Sequence, residues 1–176
     1  MYMGEFTIRN AHAEDLAQIV GIYNAAIPAR MATGDLESVS VESRDPWFKT
    51  HRPEKYPLIV AEENDGVALM GWGSLTAFYG RAAYRHTAEV SVYVDPDHMR
   101  KGLANALIDE LIARCPKLEI KTLLAFIFGH NAPSVRLFEG KGFVRWGHLP
   151  EIADLDGVER DLDIYGLRIR QSERNK

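Results

Sequence analysis

Cysteine is nearly missing. Cys115 is the one example in 176 residues, so no disulfide can form within the chain and a small disulfide-stapled scaffold is excluded. That usage fits a reducing compartment, and the chain reads as cytoplasmic. Long apolar runs are missing too. None approaches the ~20 residues that a membrane-crossing helix needs. The opening MYMGEFTIRN lacks the basic-then-apolar order of a secretory leader. Positive charge is not in excess, with 21 Lys and Arg against 25 Asp and Glu. A net charge of −4 argues against a general nucleic-acid binder, yet leaves room for a local basic patch. His12, His51, His86, His98, His130 and His148 are scattered, without a His-x-x-x-His pair or a cysteine cluster, so no catalytic metal is expected. Repeats, linkers and low-complexity blocks are also lacking, which leaves one domain over residues 1–170 and a polar, frayed tail over 171–176.

What is present suits a single mixed domain. Phe6 to Arg9 reads as a strand. Leu16, Ile19, Val20, Tyr23 and Ile27 mark one face of a helix that Pro28 ends. Met31 to Ser40 has no period and reads as a loop, and Pro46 suits the start of a short helix carrying Trp47 and Phe48. Pro57–Glu62 and Val67–Tyr79 read as a hairpin around Asn64-Asp65-Gly66. Gly71 and Gly73 inside its second strand suggest a bulge or a close approach. Gly80 to His86 is a polar, aromatic loop. Cys115, before Pro116, reads as a packed thiol. The apolar run Thr122–Phe128 suits a strand covered on both faces. Asn131 can cap a helix with Pro133 in its first turn, core side chains Val135 and Leu137/Phe138, and a stop at Gly140 and Gly142. Phe143–His148 and Asp161–Ile169 alternate as final strands around an Asp156-Gly157 turn.

The most informative stretch is TAEVSVYVDPDHMRKGLANALIDELIAR, residues 87–114. Glu89, Ser91 and Tyr93 alternate with Val90, Val92 and Val94, as in a strand. Asp95-Pro96-Asp97 stops it, and helical spacing begins at Gly102. The joint Arg100-Lys101-Gly102-Leu103-Ala104 places two cations and small residues where unpartnered helix amides point outward. That is either an anion site or a plain strand-to-helix turn with solvated cations. It is neither a Walker loop nor a dinucleotide fingerprint.

VYVDPDHMRKGLANALIDELI resembles the acyl-CoA pyrophosphate motif of the GNAT acetyltransferases. That family's Arg/Gln-x-x-Gly-x-Gly/Ala loop falls on residues 99–104, with Met99 in the first position and the Gly-x-Ala half intact. The order of elements matches the family along almost the whole chain. IYNAAI, YPLIVAE, GRAAYRHTAEVSVYV and GFVRWGHLPEI are similar to the branch that acetylates phosphinothricin, methionine sulfone and related amino acids. The resemblance implies an α/β fold in which a mostly antiparallel mixed sheet splays at its central strand, with helices on both faces. It also implies transfer from acetyl-CoA, without a metal, to the α-amine of a small amino-acid-like substrate. Direct attack in a ternary complex is expected, with no nucleic acid or membrane as partner and a homodimer as the assembly. Acetylation of protein N-termini or polyamines, and a CoA-binding regulator without turnover, are the rival readings.

Transfer to an amine needs a neutral amine, so some group must accept a proton. Glu89 is the candidate base; its alternative is a salt bridge to Arg85 or Arg81. Main-chain groups of Val92, Tyr93 and Val94 would meet pantetheine and the thioester carbonyl. Arg100, Lys101, Gly102, Leu103, Ala104 and Asn105 would hold the pyrophosphate. By resemblance Asn131, and more weakly Ser134, would touch the pantetheine arm, although a helix cap explains Asn131 equally well. Phe138 occupies the position where many relatives carry a tyrosine acid, and it cannot donate. His130 reads as a loop residue. For the acceptor, the resemblance implicates Arg81 and Tyr84, with Tyr79, Gly80, Glu89, Val90 and Ser91 around them. Arginine's planar fork suits a carboxylate or an oxidised phosphorus or sulfur group. Met31 to Asp35 would form the opposite wall.

Overall fold

Alternation along one strand organises the molecule. The computed structural model describes residues 6–64 and 66–169. The expected tail, and Asp65 of the expected hairpin turn, lie outside the described residues. At the centre is β4 (Thr87–Val94). Its neighbours in chain order are β1 (Phe6–Asn10), α1 (Leu16–Ala26), α2 (Val41–Thr50), β2 (Leu58–Glu63) and β3 (Leu69–Ala77) before it. After it come α3 (Leu103–Arg114), β5 (Thr122–Phe128), α4 (Ala132–Gly140), β6 (Val144–Leu155) and β7 (Val158–Arg168). The strands form one sheet in the order β1-β2-β3-β4-β5-β7-β6. Every neighbouring pair is antiparallel except β4 and β5, which α3 joins as a crossover.

The helices divide between the two faces. Leu103, Leu107, Ile108 and Leu111 of α3 and Phe138 of α4 pack with Leu75, Ala88, Val90, Leu123 and Ala125. On the opposite face Ile19 and Ile22 of α1 pack on Leu58, Val60, Leu69 and Trp72, with Trp47 and Phe48 of α2 against them. The even residues of β4 therefore enter the α3 core, and Glu89, Ser91 and Tyr93 turn toward α1 and α2. Gly71 and Gly73 mark a close approach. A Cβ on Gly71 would lie 2.8 Å from the Tyr93 carbonyl oxygen, and one on Gly73 3.0 Å from Leu111. A bulge also sits beside Gly71, because Ala61 pairs with it while Glu62 pairs with Leu69. Cys115 is buried, and its thiol is pushed up to about 12 by that burial.

Two boundaries differ from those expected. Helix α2 starts at Val41, capped by the Ser40 hydroxyl, which accepts the Ser43 amide at 3.1 Å. Pro46 thus lies inside the helix, on its exposed side, rather than at its start. A hydroxyl that satisfies a free amide sets the start more strongly than a proline that lacks one. Strand β6 runs on past His148 to Leu155, with register breaks between Arg145 and Gly147 and between Leu149 and Ala153. Pro150 is accommodated because β6 is an edge strand and the second break bulges around it. The β6–β7 turn uses Asp156 and Gly157, both at positive φ (57° and 83°), as a two-residue hairpin loop requires.

Candidate active site

The parallel ladder between β4 and β5 is short. It pairs Thr87 with Thr122, Ala88 with Leu123 and Glu89 with Leu124, and then stops. Both strands continue, but apart. β5 keeps its other partner, β7, along its whole length, and β4 keeps β3. On the β3 side the Asp95 amide donates to Met70, and the Phe78 amide to Thr87. In an unbroken antiparallel register those bonds recur at every second residue, so Glu89, Ser91 and Tyr93 face β3 with their main chains. Val92 and Val94 turn their N–H and C=O groups toward β5, past the end of the ladder. The gap is a cavity of about 420 Å³ whose lining includes Val92, Ala125, Ile127, Asn131, Ser134 and Phe138.

At the far end of β4 the chain turns through Arg100 (φ 64°) and Gly102 (φ 81°) into α3. Gly102 caps the helix without a side-chain bond, and the first internal bond is from the Ala106 amide to the Gly102 carbonyl. The amides of Leu103, Ala104 and Asn105 are thereby left for an external acceptor. Leu103 is anchored in the core, whereas Arg100, Lys101, Gly102 and Asn105 are exposed. Neither Arg100 nor Lys101 has an ion-pair partner among the described residues.

A second cavity, of about 230 Å³, lies on the other face of β4. Its lining includes Tyr23, Arg44, Trp47, Trp72, Ser74, Thr76, Glu89, Ser91 and Tyr93. Glu89 borders both cavities. Its carboxylate has no hydrogen-bond or ion-pair partner among the described residues, and burial raises its pKa above the ordinary carboxylate value. The alternative salt bridge does not form: Arg85 donates to the Ala82 carbonyl instead. Around the cavity Trp72 stacks on Tyr93 with ring centroids 4.6 Å apart. Burial keeps the Tyr23 and Tyr93 hydroxyls protonated.

A model of the acetyltransferase (GNAT) family matches residues 19–143. The chain belongs to that family. As a GNAT member it is an acetyl-CoA-dependent N-acetyltransferase. YwnH of Bacillus subtilis (strain 168), provisionally named a phosphinothricin acetyltransferase, is 48% identical over 93% of this chain and 99% of its own. The L-methionine sulfoximine/L-methionine sulfone acetyltransferase of Salmonella typhimurium (strain LT2) is 32% identical over 93% of this chain and 94% of its own. A GNAT superfamily phosphinothricin acetyltransferase from Sinorhizobium meliloti, solved with acetyl-CoA, matches with a TM-score of 0.89. It is 29% identical and covers 98% of this chain and 93% of that one.

This GNAT site fits acetyl-CoA on its own geometry. Helix-start amides and two cations without ion-pair partners among the described residues suit a diphosphate at Gly102, and the strand edge at Val92 and Val94, beyond the end of the described ladder, suits the amides of a pantetheine arm. Asn131 is committed twice. Its side chain accepts the Ser134 amide at 3.1 Å and donates to the Met31 carbonyl at 2.8 Å. His130 lies in the loop between β5 and α4, as expected, and its Nε2 donates to the Arg30 carbonyl at 2.8 Å. Phe138 is buried edge-on against Phe143. No group of three His, Cys, Asp or Glu is placed to hold a metal among the described residues, and no described helix is long and apolar enough to cross a membrane.

Glu89, Val90 and Ser91 come together at the cavities, but the other residues expected near the acceptor do not join them. Tyr79, Gly80, Arg81 and Tyr84 are exposed and line neither cavity; Phe78, Tyr79 and Tyr84 pack on one another instead. Sequence reasoning missed Arg44, Tyr23 and Thr76 as cavity walls. Tyr23 stood out as one apolar step of α1 and within the IYNAAI segment of the resemblance, without a role at the site. The loop expected to wall the acceptor lines the larger cavity instead, through Met31, Ala32, Thr33 and Gly34, and is tied to the smaller one only by hydrogen bonds. Tyr93 donates to the Ala32 carbonyl at 3.1 Å, and Tyr23 and Arg44 donate to Asp35.

Proposed function

We propose that the protein acetylates the α-amine of a small amino-acid-like acceptor of the phosphinothricin, methionine sulfone or methionine sulfoximine type. Direct attack takes place in a ternary complex. The observation that carries this reading is Glu89, an unpaired carboxylate held between two cavities where the β4–β5 ladder ends. Bound acetyl-CoA would supply the activated acetyl group; as the new C–N bond forms, the thioester C–S bond breaks and coenzyme A leaves as the thiolate. Glu89 accepts the proton that the acceptor ammonium must lose, directly or through one water. The Val92 N–H, turned into the gap, stabilises charge on the thioester oxygen. The amides at Leu103, Ala104 and Asn105, with Arg100 and Lys101, hold the pyrophosphate. Phe138 supplies no proton, and a thiol with a pKa near ~8.5 leaves without one. The names of the relatives support the acceptor class, and the dimensions of the aromatic-walled cavity suit one amino acid.

Thiol release from acetyl-CoA, screened against amino acids, methionine sulfone, phosphinothricin, polyamines and N-terminal peptides, tests this reading. Turnover with the amino acids and intersecting initial-rate lines are expected. Parallel lines with a trapped acetylated residue would sink direct transfer, and preference for a polyamine or peptide would sink the acceptor class. We also assign the protein to the cytoplasm as a homodimer. Its near lack of cysteine and the exposed Val144, Trp146 and Ile152 along β6 support this. Light scattering that reports a monomer would remove the second assignment.

A further inference from the structure

Arg44 is the one Lys or Arg among the residues lining the acceptor cavity, and Glu89 is the one carboxylate. The two do not pair, so their charges stand apart across the cavity. Arg44 is held rather than mobile. Its Nη2 donates to Asp35 at 2.7 Å, and its guanidinium lies 4.6 Å over the centre of the Tyr23 ring. Asp35 is fixed in turn by the Tyr23 hydroxyl and, through its own amide, by Thr33. Of the five N–H donors on a guanidinium, Asp35 takes one. The rest have no acceptor among the described residues, although only 27% of the side chain's surface reaches solvent. A partly buried, oriented donor set of this kind matches a carboxylate. An α-amino acid presents two opposite charges, as this cavity does.

We propose that Arg44 binds the α-carboxylate of the acceptor and so selects amino acids over plain amines. This rests on the reading of the acceptor as amino-acid-like. With the carboxylate at Arg44, the α-ammonium lies on the Glu89 side, where its proton is removed. Arg81, exposed on its loop, does not take this role.

The test compares methionine sulfone with its α-carboxamide, which keeps the amine and sulfone but loses the negative charge. The native enzyme is expected to favour the acid strongly. Arg44→Gln is expected to lower kcat/KM for the acid about 30-fold, chiefly through KM, with less than about a twofold change for the carboxamide. Arg44→Lys keeps the charge without the fork and falls between. Acetyl-CoA affinity by calorimetry stays unchanged in both variants, which separates this effect from misfolding. Equal loss for acid and carboxamide, or unchanged discrimination, overturns the assignment while the acceptor class stands. Loss of discrimination in Arg81→Gln but not in Arg44→Gln also overturns it. If the native enzyme turns over neither compound nor any amino acid, the acceptor class falls and Arg44 with it.

Discussion

The two cavities that meet at Glu89 are made of different materials. On the cofactor side the functional groups are main-chain: the edge of β4 beyond its ladder and the first amides of α3. On the acceptor side they are side chains drawn from α1, α2, β3 and β4. A main-chain site depends on where strands part and where φ turns positive, so most substitutions leave it standing. A side-chain site can change its ligand one residue at a time. On the proposed reading, the general grip on the coenzyme and the particular grip on the acceptor are thereby separable within one small domain.

The sharpest way to break that contrast is at the residue both cavities share. Glu89→Gln is expected to lower kcat by about 10²- to 10⁴-fold at neutral pH, with acetyl-CoA affinity intact by calorimetry. Unchanged turnover would remove Glu89 from the mechanism. Because burial raises the Glu89 pKa, native activity should fall on the acid side at a higher pH than an ordinary carboxylate would give, and the variant should lose that limb. Stability should move the other way. A carboxyl that holds its proton more tightly when folded destabilises the native state once ionised. The penalty is complete above its raised folded value and fades as pH falls through that value toward the unfolded one. Glu89→Gln should therefore melt higher than the native chain near neutrality and equally at low pH; a lower melting temperature at both would contradict this.

On the cofactor side Gly102→Ala is the matching test. Its φ of 81° strains any L side chain, and a Cβ there meets no protein atom within 4 Å. The expected results are about 1 kcal/mol of lost stability and about tenfold weaker acetyl-CoA binding, by denaturation and calorimetry, with discrimination among acceptors preserved. Altered acceptor preference would mean the two sides are not separable. Phe138→Tyr should do least. A hydroxyl beside the thiolate is expected to change kcat by less than about threefold, because a thiol is already a good leaving group near neutral pH. A gain of tenfold or more would show that proton donation limits the native enzyme.

The difference in material also explains what could be read from sequence. The strand alternation, the proline stop and the glycine at the start of α3 are local signals, and they located β4, the turn into α3 and the face on which Glu89 stands; the cofactor reading of that turn came from the resemblance. The division of the helices between the faces of the sheet was implied by the resemblance, not by apolar spacing alone. The wall of the smaller cavity was not legible because no local pattern joins Tyr23, Arg44 and Thr76; only the folding of α1 and α2 over β3 and β4 does. Arg44 sits in a helix of polar character, where one arginine looks like any other. Arg81 drew attention through resemblance, yet its loop lies beyond the last residues that line the cavity. The long β6 was hidden by Pro150, which an edge strand tolerates and an interior one would not.

In β4, side chains change face at every residue while the main chain changes neighbour in the same rhythm. Deleting one residue between Thr87 and Glu89 would shift both together. The carboxylate would be pushed toward Leu107 and Leu111, and the amide at the gap would be spent on β3. Evolution and engineering can therefore rewrite the letters of this strand but not its length.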